Sequence, residues 1–418
     1  MKPKLLVLAS TFPGTPGDGT PAFVLDLALQ QAKAFDVTVL TPMVPGALSR
    51  EVLVSADGLT RVSVQRFRYW FKASEDLAHG AILDNLKARK SRFLQVPFLL
   101  HGLFWQTRGF VRREAPAAIH AHWVIPQGIL ATLAAPRTPL LVTTHGGDIY
   151  ALNHPLLLRV KRWVFGRVAA ITTVNSQMKA RLVEWGQPAA KISLLPMGVD
   201  TKSVGEIAAA AQKVPGQLLV VGRLVEKKGI EYLFDAMRLL QADGLFGTDG
   251  NSGTLVVIGD GPIRANLEAR SAGLPVRFAG QRGRSDVLAA IAESEVMVIP
   301  SVTAANGDQE GLPVTLLEGG AGKICVVASQ LPGIDEVIEP GVSGLLVPQR
   351  DSGALAAALR TVIGDSQLRG RLAAGIAESV KRFDIAVIGY GYNRVLNQII
   401  DSAAVSEGGA AENGGAKR

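Results

Sequence analysis

Apolar residues in this chain gather in short unbroken runs, at 5–8, 37–40, 140–142, 171–174, 218–221, 255–258, 296–299 and 324–328. Many members are β-branched and turn residues bound the runs, which is how strands covered on both faces of a parallel sheet read. Between them, segments such as 23–34, 230–240 and 287–293 carry helical patterns. Strands alternating with helices predict parallel α/β sheets. The alternation breaks at 200–216, which has no strand pattern of its own and is predicted to link two domains. The end, 402–418, is rich in Gly, Ala and Ser with scattered charges. It carries too little apolar surface to offset its ordering entropy, so a floppy tail is expected.

Length agrees with two cores, because 418 residues exceed what one hydrophobic core organises. The 45 glycines and 22 prolines suit tight strand-to-helix turns. Cys325 is the single cysteine, which excludes an internal disulfide or a cysteine metal site and points to a reducing, cytoplasmic setting. Leu5 to Leu8 is too short for a signal peptide and reads as a first buried strand. No stretch reaches the ~20 apolar residues of a membrane-spanning helix. The segment from Leu94 to Trp105, with Gln95, Pro97 and His101 inside it, suits the surface of a bilayer but not its interior.

Charge sharpens that point. The formal net charge is +8, and the stretch from Arg61 to Arg113 alone holds eleven Lys and Arg against Glu75, Asp76 and Asp84. Phe67, Tyr69, Trp70, Phe71, Phe93, Phe98, Phe104, Trp105 and Phe110 are interleaved with those cations. Such a segment is either a solvated basic face or an attachment to anionic membrane. Nucleic acid ranks last, since no nucleic-acid-binding motif accompanies the charge.

Several chemistries are disfavoured by the motifs. Gly17 to Ala22 matches G-x-G-x-x-A but lies well past the first strand and contains Pro21. Gly322-Lys323 is followed by Ile324, so the P-loop hydroxyl is missing. There is no Asp-x-Asp and no H-E-x-x-H, so neither a metal nor a cofactor is expected. A bound diphosphate would then be neutralised by cationic side chains and by N–H groups at helix ends.

Two segments in the second half supply candidates. Val221 to Gly229 follows an apolar run and opens a helix, which puts Arg223 and Lys228 on a strand-to-helix loop, where ligands bind in open parallel sheets. Glu310-Gly311-Leu312-Pro313-Val314-Thr315-Leu316-Leu317-Glu318 places one carboxylate on a loop and a second inside a helix whose first turn holds Pro313. The loop carboxylate can meet a sugar, and the helix carboxylate can accept hydrogen bonds from ribose hydroxyls.

These residues resemble glycosyltransferase family 4, retaining enzymes of the GT-B fold with two glutamates separated by seven residues. The likeness extends to Thr11-Phe12-Pro13, His120-Ala121-His122-Trp123, Thr144-His145-Gly146-Gly147-Asp148, Pro196-Met197-Gly198-Val199-Asp200, Gly222 to Gly229, Gly259-Asp260-Gly261 and Asp308 to Glu318. It implies two Rossmann-like domains with parallel sheets facing across a cleft. Residues 1–199 would bind the acceptor, 200–216 link, 217–381 bind the nucleotide sugar, and 382–401 form a helix that crosses back.

By the same likeness Arg223 and Lys228 would hold the donor diphosphate, Glu310 the sugar and Glu318 the ribose. His122 or His145 would touch the donor sugar or orient the acceptor. Gly311, Leu312 and Asp148 complete the expected substrate-binding set. The segment from Ser301 to Gly311 is similar to the exopolysaccharide and lipopolysaccharide branch. With the basic aromatic stretch it implies a lipid-linked or glycan acceptor and an enzyme peripheral on the inner face of the cytoplasmic membrane. A nucleotide-sugar epimerase or phosphorylase of the same fold, or a non-catalytic nucleotide-sugar or membrane-binding protein, remains as the alternative.

The sequence departs from the family pattern in three places. Gly14 to Gly19 replaces a glycine pair, Met197 replaces the usual Asn, and Gly319-Gly320 follows Glu318. Glycine costs about 1 kcal/mol against alanine inside a helix, so the last departure is expected to loosen the donor helix.

Overall fold

The computed structural model describes residues 1–15, 20–80, 82–245 and 253–414. Most of the 14–19 loop and the end of the chain past Gly414 lie outside the described residues.

The first half builds an eight-stranded sheet from β1 (Lys4–Leu8), β2 (Asp36–Pro42), β3 (Arg50–Val54), β4 (Arg61–Phe67), β5 (Ala118–His122), β6 (Leu140–Thr143), β7 (Ala170–Thr173) and β8 (Ile192–Leu194). Its order is β3-β4-β2-β1-β5-β6-β7-β8, parallel throughout except for the antiparallel β3–β4 pair. The second half builds a six-stranded parallel sheet from β9 (Leu218–Val221), β10 (Leu255–Ile258), β11 (Val276–Gly280), β12 (Val296–Ile299), β13 (Cys325–Ser329) and β14 (Leu345–Val347). The order there is β11-β10-β9-β12-β13-β14.

The unbroken apolar runs have a direct cause. Along β1, Leu6 and Leu8 face a core shared with Leu99, Leu103, Val164 and Phe165, while Leu5 and Val7 face another shared with Val24, Leu27 and Ala28. Along β9, Leu218 and Val220 pack with Leu233, Phe234 and Met237, and Leu219 packs with Leu316, Leu317 and Ile376. Helices cover both faces of each sheet, so most positions on either face are apolar, and buried exceptions such as His120, Thr143 and Thr172 are hydrogen-bonded to one another.

Strand order reverses between β1 and β5 in the first sheet and between β9 and β12 in the second. Loops leaving the carboxyl ends of strands at such reversals form ligand crevices. Those four loops carry Thr11 to Pro13, His122-Trp123, Gly222 to Lys228, and Ser301 to Glu310.

The chain passes between the halves twice, side by side. Val199 and Asp384 form a parallel bridge, with Val199 N–H donating to Phe383 O at 3.0 Å and Ile385 N–H to Val199 O at 2.8 Å. Helix Thr201–Ala210 follows the first crossing, capped by Asp200, whose side chain accepts from Ser203 N–H at 2.9 Å. After the second crossing, helix Ile385–Gly414 lies against the first half, burying Ile388, Tyr392 and Leu396 beside Val7 and Val39. Tyr392 donates to Leu195 O at 2.9 Å. Met197 is buried in that same core. The helix continues through Gly414, so the stretch beginning at Ser402 is helical where composition pointed to a floppy tail. Ala403 and Ala404 are strong helix formers extending a helix already anchored by its core contacts.

Among the described residues, no helix is long and apolar enough to cross a membrane.

Candidate active site

The turn after β9 brings Lys228 back over Gly222. A Cβ on Gly222 would sit 2.7 Å from Lys228 Cε, and Gly222 has φ +148°, so a side chain is excluded both by space and by backbone. Lys228 Nζ then reaches Glu310 Oε1 at 3.2 Å, on the loop after β12. The approach lacks hydrogen-bond alignment, and the buried Oε1 has no hydrogen-bond partner. Burial pushes the Glu310 carboxyl up, but the charges of Lys228 and Lys227 outweigh it and hold the group below the ordinary glutamate value. Lys227 also pairs with Asp308 at 3.2 Å. Arg223 stands half-buried on the same loop as Lys228.

Glu318 occupies helix Val314–Ala321, which starts just after Pro313 rather than including it. Its carboxyl is buried, and burial pushes it up to about 7 against the pull of Arg284, whose Nε lies 3.9 Å away. Arg284 Nη1 also meets Asp26 Oδ2 at 2.6 Å, on the first-half helix Phe23–Gln31. One guanidinium thus links the Glu318 carboxylate to the opposite half. The glycine pair behind Glu318 has a packing cause instead of loosening the helix. A Cβ on Gly319 would sit 2.8 Å from Met297 Sδ, and one on Gly320 would sit 2.5 Å from Val380 Cγ1.

In the first half, His122 ends β5 and His145 follows β6. Their rings stack, with His122 Nδ1 and His145 Nε2 3.0 Å apart. Whichever tautomer holds, His122 Nε2 is buried without a hydrogen-bond partner. Burial lowers the His145 ring to about 3 and takes His122 well below its usual value, so both are neutral near pH 7. They can exchange hydrogen bonds with hydroxyls but do not supply positive charge. His120 lies behind them, held by Gln31 at 2.8 Å and Thr143 at 2.7 Å.

Asp148, expected among the substrate contacts, is occupied otherwise. Its buried oxygens accept Val124 N–H and His145 N–H, both at 3.0 Å, tying the two histidine loops together. Desolvation raises its carboxyl to about 6, opposed by those backbone N–H groups.

The halves meet at the residues between these clusters. A Cβ on Gly146 would lie 3.3 Å from Gly311 N, so the His145-Gly146 loop rests directly on the Glu310-Gly311 loop. Leu312 is half-buried against the cores of both halves, a bridging contact in place of an open ligand-facing position. Gln309 Nε2 donates to Gln177 Oε1 across the seam at 2.9 Å. Beside it lies a cavity of about 420 Å³ lined by residues that include Tyr150, Arg181, Glu184 and Thr303. Neither Glu310, Glu318 nor either histidine lines that cavity, so the cleft chemistry lies elsewhere. Asn175 and Arg284, each in contact with one of the motifs, carry no sequence signal of their own. Among the described residues no cluster of three His, Cys, Asp or Glu is placed to hold a metal ion.

This arrangement matches known proteins along most of its length. Residues 17–203 match the model of Glycosyltransferase Family 4, and residues 215–365 match that of Glycosyl transferases group 1. The chain belongs to glycosyltransferase family 4. Among curated relatives, the amylovoran biosynthesis glycosyltransferase AmsK of Erwinia amylovora is 33% identical over 51% of this chain and 53% of its own length. The putative colanic acid biosynthesis glycosyltransferase WcaL of Salmonella typhimurium is 31% identical over 60% of each chain. The chain thus spans between about half and three-fifths of the length of these relatives.

Solved structures share the GT-B fold. Sucrose-phosphate synthase from Thermosynechococcus elongatus superposes with a TM-score of 0.74 at 18% identity, covering 96% of this chain and 100% of that one. HepE from Anabaena, solved in complex with UDP-glucose, gives 0.65 at 18% identity, covering 95% and 100%.

Proposed function

We propose that this family 4 member is a retaining glycosyltransferase that moves a sugar from a nucleoside diphosphate donor to a glycan or lipid-linked acceptor in cell-surface polysaccharide biosynthesis. The observation carrying this reading is the meeting of the two loops at Gly146 and Gly311. It brings a buried carboxylate with its lysine, and a neutral histidine pair with an unpartnered nitrogen, to one cleft. The relatives named for amylovoran and colanic acid biosynthesis support the polysaccharide setting, and the UDP-glucose complex of HepE supports a nucleotide-sugar donor.

In this mechanism Arg223, Lys228 and nearby helix N–H groups neutralise the diphosphate as it departs, a preorganised contribution often worth several kcal/mol per key group. Glu318 accepts hydrogen bonds from the ribose hydroxyls. Glu310 holds the sugar and stabilises its developing positive charge, and His122 offers Nε2 to a sugar hydroxyl. The acceptor attacks the face the diphosphate leaves, and the leaving phosphate takes the acceptor proton, so the anomeric configuration is retained.

The acceptor side is read from the exposed surface of the first half. Phe71, Phe93, Leu94, Phe98 and Trp105 are solvent-exposed, and Lys72, Arg89, Lys90, Arg112 and Arg113 of the same stretch are exposed as well. Interleaved apolar and cationic side chains of this kind suit shallow attachment to an anionic leaflet, which would hold the enzyme on the cytoplasmic face where lipid-linked acceptors are elongated.

A thermal-shift screen of nucleoside diphosphates and nucleotide sugars tests the donor assignment. A true ligand at 100 times its Kd adds about 2.7 kcal/mol. The best donor is then incubated with membrane extract in excess EDTA, where labelled sugar should still enter the lipid or glycan fraction. If no nucleotide shifts the protein, the donor reading fails. Transfer that stops with EDTA and returns with magnesium or manganese refutes the metal-free route.

A further inference from the structure

Asn175 is fully buried in the first half yet holds the second. It follows β7 and caps helix Ser176–Glu184, its Oδ1 accepting Met178 N–H at 2.8 Å. Its Nδ2 points the other way and donates to Gly311 O at 2.7 Å, with Pro332 O at 3.4 Å. Tyr150 OH also donates to Oδ1 at 3.3 Å, which fixes the orientation of the amide.

The carbonyl that Asn175 grips is enclosed from several sides. A Cβ on Gly333 would overlap Gly311 O at 2.1 Å, one on Gly146 would press on Gly311 N at 3.3 Å, and one on Gly311 would lie 2.8 Å from Val174 Cγ2. The seam continues through Ser176, whose N–H and hydroxyl both donate to Glu336 at 2.8 and 2.7 Å. Gly311 follows Glu310 directly, and Gly146 follows His145. A shift of the Gly311 peptide therefore changes the spacing between the carboxylate and the histidine pair.

We propose that Asn175 is a positioning residue, setting the Glu310 loop against the His145 loop through the hydrogen bond from its amide to Gly311 O. The role rests on the transferase reading above, since it gives that spacing its purpose. The two ends of the side chain have separable tasks. Oδ1 stabilises the helix start, whereas Nδ2 fixes the register between halves.

The substitution Asn175→Asp separates them. A carboxylate still caps the helix, but it presents an acceptor oxygen to the carbonyls of Gly311 and Pro332 and repels them. Asn175→Ser keeps a capping hydroxyl whose reach falls short of Gly311, and serves if the aspartate does not fold.

UDP and GDP affinities should stay at the wild-type level, because Arg223, Lys228 and Glu318 lie in one half. Turnover of the nucleotide sugar selected in the thermal-shift screen should fall by as much as about 100-fold, the effect of displacing reacting groups by about 1 Å. KM for that donor should change little. Small-angle scattering of the full chain without ligand should show a larger radius of gyration for Asn175→Asp.

Wild-type turnover together with wild-type scattering in both variants overturns the proposal. So does a loss of melting temperature with unchanged turnover per folded molecule, which would leave only the helix cap. If wild type binds no nucleotide at all, the transferase reading has failed instead, and scattering still decides whether the amide holds the halves in register.

Discussion

The ammonium of Lys228 stands 3.2 Å from the Glu310 carboxylate, two groups assigned to neighbouring parts of the donor, its diphosphate and its sugar. Without a ligand each offsets the desolvation of the other. A diphosphate that takes Lys228 leaves Glu310 free to accept a sugar hydroxyl, so filling of the phosphate site readies the sugar site. Lys228→Ala should weaken nucleoside diphosphate binding at least tenfold, because a charge-assisted contact to phosphate is lost. Glu310→Gln should remove most turnover while diphosphate affinity stays level or rises, as the lysine no longer has a competing partner. Calorimetry on both variants checks the pair. Equal losses of diphosphate affinity would refute the division of roles.

Glu318 predicts a pH dependence of known sign. Its carboxyl is raised to about 7 in the folded protein. Ribose hydroxyls donate to the ionised form, so nucleoside diphosphate affinity should climb between pH 6 and pH 8 in wild type. It should climb less in Glu318→Gln; protonation of the ligand phosphate is common to both proteins and cancels in the comparison. Stability runs the other way. A raised carboxyl favours the folded state while protonated there, so this contribution is present below the unfolded value of 4.5 and is lost as pH rises through about 7. Parallel pH profiles for the two proteins would remove Glu318 from the ribose site.

The strands were the most legible part of the fold, because burial on both faces forces unbroken apolar runs such as 5–8 and 255–258. β3, β4, β8, β11 and β14 were not read as strands. β4 alternates polar and apolar side chains and lies in the basic stretch, where charge masked the period. The Glu310 loop and the Glu318 helix were legible because their residues are contiguous. Asn175, Arg284 and Asp26 were not, since each is a lone polar residue whose partner lies more than a hundred positions away. Their pairing exists only after both sheets have formed.

Among the cations, the proposed membrane attachment rests on the exposed ones alone. Arg66 is buried against Glu51 at 2.5 Å, and Arg92 is held by Asp76 at 2.7 Å, so neither is available to lipid. Replacing exposed Lys72, Lys90 and Arg112 with Glu should reduce cosedimentation with phosphatidylserine vesicles at low salt. Each near-surface cation contributes about 1 kcal/mol. Phe93→Ser with Phe98→Ser should weaken the binding that persists at higher salt. A wild-type protein that ignores such vesicles would reduce this face to a solvated surface.

Gly320 supplies a test of stability. Alanine there gains about 1 kcal/mol of helix propensity. Its Cβ would stand 2.5 Å from Val380 Cγ1 and 3.1 Å from Ile376 Cγ1. Overfilling a close-packed core costs about 1–3 kcal/mol, so the overlap outweighs the propensity. Gly320→Ala should lower the melting temperature by several degrees; a rise would show that the helix has room to shift.

The paired crossings at Val199 and Asp384 bear on how the cleft moves. One linker would let the halves swivel about their joining line as well as bend across it. Two strands of chain a hydrogen bond apart resist torsion and leave bending as the soft coordinate. Bending along one arc returns Gly311 toward Gly146 untwisted, leaving the Asn175 hydrogen bond to set the final register. A hinge of this kind restricts the search for the closed geometry before any substrate arrives.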